Sequence, residues 1–132
     1  MAILVMIMGT SCTTIGGSDP IVRNAKSWQG KHYKHGSTHQ CANWVTHVVK
    51  KAGKQPPTGS SKSSSWSNWG KTVPKSQIKP GDVLVFSGTY KRGISHVGIA
   101  LGEGQFIHRS THGAPVKVSS LDRYRIATVR RG

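Results

Sequence analysis

Acidic side chains are almost missing from this chain: Asp19, Asp82, Glu103 and Asp122 are the whole set in 132 residues. Each falls at a cap, strand-start or loop position of the local pattern, which leaves no pair placed for the two-carboxylate chemistry of glycosidases. The same shortage disfavours hard-cation sites, which are built from oxygen ligands. Cysteine is as scarce, with Cys12 and Cys41 alone. Two thiols allow one disulfide but no framework, and free thiols are expected in a chain long enough to bury its own core. Long apolar runs are missing too. The opening MAILVMIM is eight residues, far short of a bilayer span. Cys12 after small residues faintly suggests a lipoprotein cleavage site, but no Lys or Arg precedes the run, and Gly9 stands where a large aliphatic residue is wanted. Residues 1–18 are therefore read as an N-terminal arm or atypical export segment, and 19–132 as one domain.

Positive charge, by contrast, is abundant. Nineteen Lys and Arg against the four acids leave a net charge of +15, which directs the molecule toward polyanions. The basic residues are scattered, with small clusters at Lys50–Lys51, Lys91–Arg92 and Arg130–Arg131, and no single reading helix gathers them. Nucleic acid is thus not the favoured partner over an anionic bacterial surface or wall polymer.

Local patterns place helices first and strands after. Asp19 as N-cap, Pro20 at the first helical position and Gly30 as a stop predict a short helix. A second helix opens at Cys41: Ala42, Val45, Val48, Val49 and Ala52 recur at three- and four-residue steps, and Gly53 follows Lys50 and Lys51. His32, His35 and His39 precede it, but their spacing with Cys41 matches no usual zinc pattern, so no metal is expected. Residues 54–65 read as a surface connection without chemistry of their own. Trp66 and Trp69 follow at helical spacing, either as core and rim residues or as the wall of a groove. From Lys79 onward the period is two, and KPGDVLVFSG, ISHVGIALGEGQFIHRS, APVKVSS and YRIATVRR predict an antiparallel sheet. The layout is α+β, with helices packed on one face of the sheet.

Cys41 carries the candidate chemistry. A helix start favours the thiolate, which is the nucleophilic form, and the competing reading is a small buried hydrophobe. Partners elsewhere decide between them. If Gly102–Gly104 is a three-residue hairpin loop, Leu101 faces Gln105 and His108 lies opposite Gly98. His96 and His108 then become diagonal neighbours roughly 7–8 Å apart on one face, with Val97, Ile99 and Ile107 on the other. A two-residue loop would slip the register and separate them.

The runs GKHYKHGSTHQCANWVTHVVKKAG, IKPGDVLVF and SHVGIALGEGQFIHRS resemble the NlpC-type papain-like cysteine hydrolases of bacterial cell walls, over residues 20–110. The resemblance implies a papain-like fold that needs no cofactor, with Cys41 as nucleophile, His96 as general base and His108 as the residue that orients it. It implies that Tyr33 lies beside the nucleophile and helps stabilise an oxyanion. Around the nucleophile the family's usual Asp-Cys-Ser-Gly is Gln-Cys-Ala-Asn here, from Gln40 to Asn43; Gln40 joins Trp66 and Trp69 as a candidate substrate contact, and bond specificity does not carry over. The implied partner is peptidoglycan, cut at an amide of the stem peptide or cross-link in the periplasm or cell wall by a monomeric enzyme. An antibacterial or phage-associated enzyme delivered by other machinery is the expected setting, and an inhibitor protein its expected counterpart. The rival readings are a related amidase or acyltransferase on another substrate, and a basic binding module in which the cysteine is idle.

Overall fold

A computed structural model describes residues 19–34, 40–110 and 114–132. The expected arm over 1–18, Cys12, His35 and His39 lie outside the described residues. Helix α1 spans Pro20–Ser27 and starts where Asp19 Oδ1 accepts from the Ile21 and Val22 N–H groups at 2.8 and 3.2 Å. Helix α2, Gln40–Lys51, buries Ala42, Trp44, Val45, Val48 and Val49. It ends where Gly53, at φ 85°, donates to the Lys50 carbonyl, and Lys54 to that of Val49. Those two bonds satisfy the last carbonyls, and only glycine adopts that left-handed turn without strain.

Six strands follow: β1 Lys71–Val73, β2 Val83–Ser87, β3 Ile94–Gly102, β4 Gln105–Arg109, β5 Val116–Ser120 and β6 Arg125–Arg131. They form one sheet in the order β1-β6-β2-β3-β4-β5, antiparallel throughout. The expected α+β architecture is what forms. Strand β1 is too short for a periodic pattern and was not legible in the sequence; it exists because β6 supplies a partner.

Each face of the sheet carries its own core. Val83, Val85, Val97, Ile99, Ile107 and Val116 pack under α1, α2 and a 3-10 helix at Ser63–Asn68. Leu84, Phe86, Ala100, Phe106 and Val129 build the second cluster, where Phe86, Phe106 and Tyr124 fill the space that Gly98 and Ala100 leave. The run Val83–Phe86 is buried at every position because both faces are covered. At the start of β2, buried Asp82 accepts from Arg131 Nε and Nη2 at 2.7 and 2.8 Å and from the Lys79 N–H, tying the strand's entry to the end of β6.

The β3–β4 turn corrects the expected loop. It has two residues, Glu103 and Gly104, both left-handed at φ 56° and 76°, and Gly102 rather than Leu101 pairs with Gln105. Leu101 is the extra residue of a bulge that restores Ala100↔Phe106 and Ile99↔Ile107. The shorter turn and the bulge cancel, so His108 keeps the register across from Gly98.

Candidate active site

His96 and His108 meet on the second face of the sheet. A bulge at Ser95 turns the backbone just before His96, so that Phe86 pairs with His96 while Ser87 pairs with Ile94. His96 Nε2 and His108 Nδ1 are 2.7 Å apart, and His108 Nε2 is 2.8 Å from Ser119 Oγ. Ser119 was not foreseen. Only the β4–β5 register, with Phe106 opposite Ser119, sets its hydroxyl diagonally beside His108. Phe86, Phe106 and Tyr124 surround the two rings.

Burial disfavours the charged imidazolium, so the His96 pKa is pushed down to about 4. That of His108 is pushed down to about 3 by burial, by His96 and by Lys117, its partner across β5. Both rings are neutral near pH 7, and each then has one N–H to give. If His96 Nε2–H donates to His108 Nδ1, and His108 Nε2–H donates to Ser119, the His96 Nδ1 lone pair is left free to accept a proton. In the reverse arrangement His96 Nδ1 holds its proton and cannot be a base. The Ser119 hydroxyl accepts in the first case and donates in the second.

Neutral burial also makes the fold acid-sensitive. The unfolded chain takes up protons below pH 6.5 that the folded histidines refuse until about 4 and 3, so stability is full above 6.5 and falls as pH drops through that window. The His96 shift alone corresponds to about 3 kcal/mol. Melting temperatures measured from pH 7.5 to 3.5 are expected to fall steeply below 6.5 in wild type and less steeply in His96→Gln. Equal slopes would contradict it.

Gly98 keeps the strands close at this point. A Cβ there would stand 2.8 Å from Phe106 Cδ2, 3.1 Å from the Ile107 carbonyl oxygen and 3.2 Å from His108 Cβ. Gly98→Ala is expected to cost about 1–3 kcal/mol in urea unfolding, as overpacking does, and to displace His108. An unchanged unfolding midpoint would show that β4 yields without cost.

Cys41 sits in the first turn of α2 and is half-buried. Its Sγ is 3.6 Å from Ser63 Oγ. Among the described residues the thiol's hydrogen-bond contact is thus the 3-10 helix and not His96, and the connection expected to be free of chemistry reaches the thiol through its last residues. The structure brings His96 together with His108 and leaves Cys41 unbonded to either.

The model of the NlpC/P60 family matches residues 27–130, most of the chain. The chain belongs to the NlpC/P60 family. It is 39% identical over 97 residues to gamma-DL-glutamyl hydrolase of Bacillus subtilis, covering 69% of this chain and 23% of that protein. It is 36% identical over 98 residues to the probable endopeptidase p60 of Listeria monocytogenes, covering 70% and 19%. The chain therefore spans about a fifth to a quarter of these relatives. Among solved structures, the NlpC/p60 domain of the peptidoglycan hydrolase SagA matches with TM-score 0.67 and 29% identity over 86% of this chain and 97% of that one.

In this NlpC/P60 domain the remaining candidates separate. Tyr33 is half-buried and its hydroxyl donates to the Asn43 carbonyl at 3.3 Å, one turn into the Cys41 helix, with burial holding its pKa up. Gln40 is buried beside Cys41. Trp66 and Trp69 are not a groove wall: both are buried, edge-to-face with centroids 5.1 Å apart, and their Nε1–H groups donate to the Ser60 and Gln55 carbonyls. Burying two large rings with both N–H groups satisfied is a packing role. Among the described residues no cluster of three His, Cys, Asp or Glu is arranged to hold a metal.

Two cavities open at the site. One, of about 570 Å³, is lined by His96, Tyr90, Ser110, Arg123, Tyr124 and Arg125 among others. The second, about 430 Å³, is lined by Lys62, Ser63, Lys91 and Ser95, and again by Tyr90.

Proposed function

We propose that this domain hydrolyses an amide bond of bacterial peptidoglycan, in the stem peptide or cross-link, with Cys41 as nucleophile, His96 as general base and His108 as the residue that orients His96. The observation that carries the reading is the buried His96–His108–Ser119 chain within an NlpC/P60 domain. The relatives' names support it, since they include endopeptidases and a peptidoglycan hydrolase.

On this reading His96 Nδ1 takes the Cys41 proton and the thiolate attacks the amide carbon, forming a C–S bond and an oxyanion. His96 then returns the proton to the leaving nitrogen as the C–N bond breaks. A water, deprotonated by the same nitrogen, attacks the thioester and releases the acid and the free thiol. The oxyanion is met by the Cys41 N–H in the first turn of α2, where N–H groups have no helical partner, and by Tyr33 once its hydroxyl turns from the Asn43 carbonyl. Catalytic hydrogen bonds commonly tighten only when substrate is bound, and the Cys41–His96 contact belongs to that state. The charge of +15 suits a mesh of peptide carboxylates among anionic polymers.

Mass spectrometry of soluble fragments released from purified peptidoglycan tests the proposal. New paired amine and carboxyl ends are expected and name the bond. Intact wall from every chemotype tried would overturn it.

A further inference from the structure

The two cavities differ in which side of the reaction they serve. Ser63 lines the smaller one and touches Cys41 Sγ, so this cavity adjoins the thiol that would hold the acyl half of a cleaved amide. His96 lines the larger one and would deliver the proton to the departing amine, so the amine half lies there. Tyr90, 70% exposed at the tip of the β2–β3 loop, lines both and marks the crossing between them. That loop is held at its base, where Gly88 donates to the Gly93 carbonyl and Thr89 N–H to Ser95 Oγ.

Five of the chain's seven arginines divide into bound and open ones. Arg130 is hydrogen-bonded to Trp69, Gly70 and Thr72, Arg131 to Asp82, and Arg109 to the Tyr33 carbonyl. Arg123 and Arg125 are exposed, and among the described residues their side chains have neither a hydrogen bond nor an ion pair. Both line the His96 cavity, one on each side of Tyr124. A guanidinium pair with open donors presents the fork that binds a carboxylate bidentately. Resting on the hydrolase reading above, we propose that Arg123 and Arg125 select substrates whose amine-side residue carries a free carboxylate, and that amidation of that carboxylate shuts them out.

The test has two arms. In the first, a stem pentapeptide with its carboxylates free and one with its side-chain carboxylates amidated are titrated calorimetrically into the Cys41→Ala protein. The free peptide is expected to bind about ten- to a hundredfold tighter, as charge-assisted pairs do, and adding Arg123→Gln and Arg125→Gln is expected to bring the ratio to near one. Lys50→Gln with Lys51→Gln removes the same charge at the far end of α2 and is expected to leave the ratio in place. Equal ratios with and without Arg123 and Arg125, or equal loss in the lysine control, would overturn the proposal. In the second arm, wild type digests peptides that differ only in acid or amide on the residue after the cleaved bond. A preference for the acid that the arginine variants lose supports the assignment to the amine side, whereas equal rates overturn it. Discriminating binding with no cleavage of either peptide would sink the hydrolase reading and leave the carboxylate site standing.

Discussion

Cys41→Ala is expected to reduce fragment release from peptidoglycan by about 10⁴-fold or more, as loss of a covalent nucleophile does, while unfolding at the wild-type temperature. The thiol is half-buried and among the described residues its polar contact is Ser63, itself only partly buried, so its removal leaves a small gap and no buried described group without a partner. Surface-near changes of that kind shift stability by about 0.5 kcal/mol or less. Fragment yields and thermal unfolding measured on one preparation separate loss of chemistry from loss of fold. Retained hydrolysis would move the nucleophile elsewhere, and Ser63, the hydroxyl beside Sγ, would be the first to examine. Ser63→Ala is expected to have a far smaller effect, because that hydroxyl has no base among its described contacts.

His96→Ala is expected to cost about 10³–10⁴-fold in kcat/KM, and His108→Gln about ten- to a hundredfold, since a base contributes more than the group that aims it. Gln keeps a hydrogen-bonding group beside His96 Nε2, which matters because that nitrogen is buried. A structural role for His108 would lower the melting temperature without altering the pH profile. An orienting role changes the profile as well: in wild type the acid limb of kcat/KM that belongs to the base is expected near the depressed His96 pKa of about 4, and losing the His108 contact should move it. Alkylation of Cys41 by iodoacetamide across the same pH range reports the thiolate directly. Equal losses for His96→Ala and His108→Gln, with no change in the limb, would mean that His108 acts on substrate itself.

Much of the candidate site's placement was legible because its signals are local. The cap at Asp19, the apolar steps after Cys41 and the stop at Gly53 depend on neighbours within a turn. The alternation around His96 and His108 exposed a shared strand face, and a hairpin estimate brought them within reach. That estimate reached the right register through the wrong turn, because a two-residue turn and a bulge at Leu101 offset one another. Bulges leave no mark on alternation when they cancel. Ser119 and Ser63 were missed for a different reason: each meets the site across a long sequence gap, through the β4–β5 pairing and the fold-back of the 3-10 helix. The groove role for Trp66 and Trp69 failed because a pair of aromatics at helical spacing carries no sign of which layer covers it.

The sequence by itself determined the class of fold, the helix that presents the thiol, the strand face shared by the two histidines and a composition with four acids and a net charge of +15, since composition and short-range periodicity follow from each residue's own backbone and solvation preferences. Only the tertiary structure decided that Ser119 closes the imidazole chain, that both histidines are buried and neutral, and that the Arg123 and Arg125 side chains line the His96 cavity without a partner among the described residues while Arg130 and Arg131 are bound. Hydrogen-bond partners and desolvation depend on what is packed alongside, and that is set by strand register and layer contacts between residues far apart in the chain.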